Sequence, residues 1–202
     1  MDKVDSIIAR ARHWQLFVVM LLPMVVAYSL YFPSMSLDPV TNPEQSFALL
    51  EDSFIKMMLV SLFGYMLLYL WIWVIGRVCN SSLPRISRRK DGLFNFSVPF
   101  ALCYLPIATI AFPKLVATEG AHWSAALIIP LHIAASFMLF YAMIFAARSV
   151  ASLGQNRRAG FGRSFLFFMG IMYFPIGVWI IQPCLNAAFA DTQSRRQVPG
   201  PG

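Results

Sequence analysis

Residues 165–186, FLFFMGIMYFPIGVWIIQPCLN, decide how this chain is read, because they join a membrane-length apolar run to two helix breakers and two terminal amides. Residues 165–181 carry no charge, and at ~1.5 Å per residue they cover most of a hydrocarbon core of ~30 Å. In a continuous helix Pro175 would free the carbonyl of Ile171 and Pro183 that of Trp179, since proline lacks an amide hydrogen and crowds the preceding turn. In lipid a freed carbonyl has to be met by protein or trapped water. Pro175, Trp179, Gln182 and Asn186 are spaced four, three and four apart, so on a helix they share one stripe, with both amides near its end. Trp179, Gln182 and Asn186 thus form a candidate intramembrane polar site. Its plainer reading is a kinked helix with a polar cap at the interface.

Working outward, FPIGVWIIQPCLN resembles the C-terminal F-P-I-G-x-W-x-x-Q-P-x-[IL]-N signature of small uncharacterised bacterial integral membrane proteins. The similarity runs from about Ile128 onward and takes in IIPLHI and the pair Phe161 and Gly162; Cys184 stands where that pattern has a basic residue. The resemblance implies a protein of a bacterial inner membrane and supplies no activity.

Composition places the whole chain in the same solvent. Hydrophobic residues make up 58% of the 202 residues and charged ones only 12%, with a mean hydropathy of +0.65, which excludes an ordinary soluble domain. Five spans are expected, at about 14–32, 54–76, 96–116, 124–147 and 165–185, forming one all-α, polytopic transmembrane helix bundle. The alternative is four spans plus a re-entrant C-terminal stretch that turns back at Pro175. Trp14, Tyr28 and Tyr31 sit where aromatic belts occur, and the acids of 44–52 suit the early start of a second helix.

The formal charge of +7 could suggest a nucleic-acid partner, but its distribution reads as topology. Lys3, Arg10, Arg12, Arg77, the RISRRK cluster and the segment from Arg148 to Arg163 alternate with linkers dominated by acids. The N-terminus is therefore expected in the cytoplasm and the C-terminus outside. Arg85, Arg88, Arg89, Lys90, Arg157 and Arg158 are candidate lipid headgroup contacts, each contributing ~1 kcal/mol beside an anionic leaflet. No aromatic interleaves the cluster, so no nucleic-acid partner is expected.

Two further features carry polar chemistry into the membrane. Pro99, Pro106 and Pro113 follow at intervals of seven and, with Pro175 and Pro183, are candidate kink or pore-lining residues. His132 is the ionisable side chain placed well inside a span, and such a group is a functional hypothesis by default. It lacks an acidic companion at similar depth, and a hydrogen bond to a tyrosine or a freed carbonyl would satisfy it. In the same helix Ala135, Ala142 and Ala146 offer a surface on which another backbone can pack.

Enzyme templates are missing. There is no Gly-rich phosphate loop, HExxH, GxSxG, CxxC or paired carboxylate, and Cys79, Cys103 and Cys184 have no metal-ligand spacing. No catalytic residue, cofactor or metal is expected. Two functions remain: a non-enzymatic accessory or binding subunit that associates by helix–helix contact with another membrane chain or with itself, and a small channel or transporter, as a homo-oligomeric pore around the proline-kinked helices.

Overall fold

A computed structural model describes residues 3–31, 43–117, 122–153, 155 and 158–197, and among them every regular element is helical. The order is α1 (Lys3–Arg10), α2 (His13–Tyr31), α3 (Pro43–Ser82), α4 (Gly92–Ala117), α5 (His122–Ala151), α6 (Phe161–Met172) and α7 (Phe174–Gln197). Four of these are long and apolar enough to cross a membrane: α2, α3, α4 and α5. The chain is a multi-pass helical membrane protein. The acidic stretch before the second span does enter the helix early, since α3 already begins at Pro43.

α3 is the central post and packs against α2, α4, α5 and α7. Its lower half carries Trp71, Ile75, Val78 and Cys79, all buried, and Gly76 leaves room for the Phe94 ring to press on the α3 backbone. Phe94 in turn stacks on Phe145 of α5, with centroids 4.4 Å apart. Closer to the other end, Gly64 lets α2 approach so that a side chain there would meet the Met20 carbonyl at 2.9 Å. The small-residue surface of α5 is used within the chain: Ala135, Ala142 and Ala146 are buried inside the bundle.

The fifth span is replaced by the alternative arrangement. The helix stops at Met172, passes through Tyr173 (φ −93°, ψ 60°), and restarts at Phe174. Pro175 therefore lies in the first turn of α7, where its missing N–H costs nothing. Gly170 and Gly177 then come into direct backbone contact, which any side chain at 177 would block. α6 leaves the face where α5 ends and rises beside it, Phe168 meeting Phe140 at 6.4 Å. α7 comes back down: Gln182 bonds to Trp71 of α3, and the Ala188 carbonyl, further along, accepts from Ser82 at the end of α3. The described part of α7 thus runs back toward the face that holds α1, as in the four-span alternative; the C-terminal residues 198–202 lie outside the described residues. With 12 residues, α6 is about 18 Å long, shorter than a hydrocarbon core of ~30 Å.

Candidate functional site

Three polar constellations are built on this frame. The first is the amide stripe of α7. Gln182 is fully buried; its Oε1 accepts from Trp71 Nε1 at 2.9 Å, and its Nε2 donates to the carbonyls of Ile8 at 2.8 Å and Ala11 at 3.1 Å. Both hydrogens of Nε2 are then used. Asn186, whose amide lies 2.9 Å from it, is placed with its nitrogen toward the backbone, donating to the carbonyls of Ala9 (2.6 Å) and Gln182 (3.1 Å). Ile8 lies in the last turn of α1 and Ala11 just past its end, where carbonyls run short of backbone donors; the Ile8 carbonyl otherwise keeps only the long bond from the Ala11 N–H, at 3.3 Å. Trp179 completes the contact, its ring 4.3 Å from that of His13 and 6.2 Å from that of Phe17.

The stripe is therefore a clasp for the N-terminal helix. Asp5 of α1 is buried beside Arg77 of α3 at 3.6 Å, and the Arg10 guanidinium lies over the Phe189 ring at 5.6 Å. The residues before the first span, where the charge pattern showed only Lys3, Arg10 and Arg12, form a short helix fixed beneath α3 and α7. Its alternation of Asp5, Ile8 and Ala9 with exposed Ile7 and Arg10 is the signal that could have revealed it.

The second constellation is His132. Its Nδ1 lies within hydrogen-bond distance of the Tyr104 hydroxyl, at 3.0 Å, and Phe96, Phe100 and Tyr104 form a stacked ladder along α4 leading to it. Residues 129–134 are all exposed, as is Phe137, and the shorter α6 packs beside α5 nearer its other end, at Phe140. Nε2 of His132 has no partner among the described residues. Pro99 and Pro106 are half-buried on α4, and Pro113 follows in the same helix; Pro183 lies exposed inside α7.

No family model, curated protein or solved structure matches this chain. The likeness of its C-terminal stretch to a signature rests on those residues alone.

The third constellation lies on the face that holds α1. Arg88 is turned to the end of α3, donating to the carbonyls of Ser81 and Leu83, while Arg85 is exposed. Arg89 and Lys90 instead join Arg148 and Arg158 around a cavity of about 390 Å³, with Tyr141, Ile144 and Phe145 of α5 as its apolar wall. Burial, together with the like charges of Arg148 and Arg158, holds the Arg89 guanidinium below the usual arginine range. Arg157 lies outside the described residues. Arg148 joins this group by spatial position, which the loop-by-loop reading of charge did not supply. Among the described residues no group of His, Cys, Asp and Glu is arranged to hold a metal ion.

Proposed function

We propose that the chain is a non-enzymatic accessory subunit that joins another membrane-embedded chain along the exposed half of α5. The observation that carries this reading is His132 with its free Nε2 on a stretch of six consecutive exposed residues, 129–134, past the part of α5 beside which α6 packs. In hydrocarbon a polar ring atom without a partner is unfavourable, and a helix with a hydrogen-bonding side chain laid into this notch would satisfy it. Tyr104 orients the ring from behind, so Nε2 is presented to that neighbour. The channel reading has less support, because Trp71, Ile75, Phe94, Ile181 and Leu185 fill the bundle interior toward the basic face.

The test is photo-crosslinking in native membranes from position 137, where the natural side chain is 70% exposed. The expected product is one protein adduct, whose mass distinguishes a second copy from a different subunit. His132→Ala should weaken it roughly three- to twenty-fold, the range of interhelical hydrogen bonds in membranes. Adducts to lipid alone would overturn the reading.

A further inference from the structure

We propose that the cavity between residues 89–90 and the end of α5 is a binding site for the phosphate of an anionic phospholipid. Arg89, Lys90, Arg148 and Arg158 line it, and among the described residues no acid does. Arg89 Nε is buried and has no hydrogen-bond partner among the described residues, so a donor already withdrawn from water is left for an acceptor to meet. Two side-chain clamps hold the loops that carry Arg89 and Arg158. Buried Asn80 grips the Arg89 backbone twice, accepting from its N–H at 2.9 Å and donating to its carbonyl at 3.0 Å. Buried Ser152 accepts from the Ala159 N–H at 3.1 Å and so anchors the residue next to Arg158.

The apolar wall identifies the source of the phosphate. Ile144 and Phe145 stand one turn before Arg148 on the membrane side of the cations, and Tyr141 another turn deeper. A free phosphate would use only the charged rim. A phospholipid matches both, with its phosphate among the guanidiniums and its glycerol end against Ile144 and Phe145. The site is independent of the α5 notch, which lies toward the opposite face.

The experiment is native mass spectrometry of the full chain in neutral detergent, titrated with phosphatidylglycerol, phosphatidylcholine or inorganic phosphate. Phosphatidylglycerol should be retained in preference to phosphatidylcholine. Lys90→Gln and Arg148→Gln, both at exposed side chains, should each lower retention about five-fold and together about twenty-five-fold. Arg12→Gln, at an exposed residue outside the cavity, should leave it unchanged. Thermal melting equal to the parent establishes that each variant is folded. Equal retention of both lipids, or indifference to the paired substitution, overturns the site; displacement of lipid by millimolar inorganic phosphate overturns the lipid as its source.

Discussion

Replacing Gln182 with leucine, a side chain of similar size, should release the N-terminal helix. The substitution removes three hydrogen bonds at a fully buried position; the Trp71 indole N–H and the Ala11 carbonyl lose the Gln182 amide, and the Ile8 carbonyl keeps only the long bond from the Ala11 N–H. Such bonds contribute ~0.6 kcal/mol each in membrane proteins and up to ~1.5 kcal/mol in soluble ones, which gives a loss of about 2–4 kcal/mol. Leucine retains the packing volume, so little cavity term adds to this. The loss should appear in reversible unfolding in mixed micelles followed by tryptophan fluorescence, and as faster amide hydrogen exchange throughout α1. A double-mutant cycle with Trp71→Phe should show a coupling of about 1 kcal/mol, because the two side chains share one of the bonds. Stability unchanged within ~0.5 kcal/mol, with α1 still protected from exchange, would refute the clasp.

The hairpin and the clamps make further predictions. Gly177→Ala places a methyl group against the Gly170 backbone and should destabilise by about 3 kcal/mol in the same unfolding assay, whereas Gly170→Ala, whose nearest neighbours would lie at 3.5 and 3.6 Å, should change stability by less than ~0.5 kcal/mol. Ser152→Ala releases the Ala159 N–H and should reduce phosphatidylglycerol retention at least two-fold while lowering stability by only ~1 kcal/mol; retention equal to the parent would show that the loop is held without it.

The sequence made the helical class, the four long helices and the basic face legible, because a continuous apolar helix and a cluster of arginines are local signals. Helix α4 was expected at 96–116 and runs over Gly92–Ala117; α5 was expected at 124–147 and runs over His122–Ala151. What was not legible depends on residues meeting after the chain has folded. Pro175 reads as a kink when its helix is taken as continuous and as a helix start once Gly170 and Gly177 touch, and nothing in their spacing of seven shows that they do. Gln182 and Asn186 were recognisable as polar groups needing partners, but those partners are carbonyls more than 170 residues earlier. Likewise the arginines were visible in two separate loops, whereas their selection into one cavity is made by Asn80 and Ser152, which look like ordinary small polar residues in the sequence. Ala142 and Ala146 show the converse case: a small-residue face is legible, but whether the helix that covers it belongs to the same chain is not.

The returning C-terminal hairpin is tested most directly by single cysteines at positions 7 and 190, both exposed, placed in a background without Cys79, Cys103 and Cys184. In sealed vesicles of one orientation, a membrane-impermeant maleimide added outside should treat the two alike, labelling both or neither, with the pattern reversed for both when the vesicles are inverted. Labelling of one position from each side would mean that the last helix crosses the bilayer, and the folded-back arrangement of α6 and α7 would be wrong.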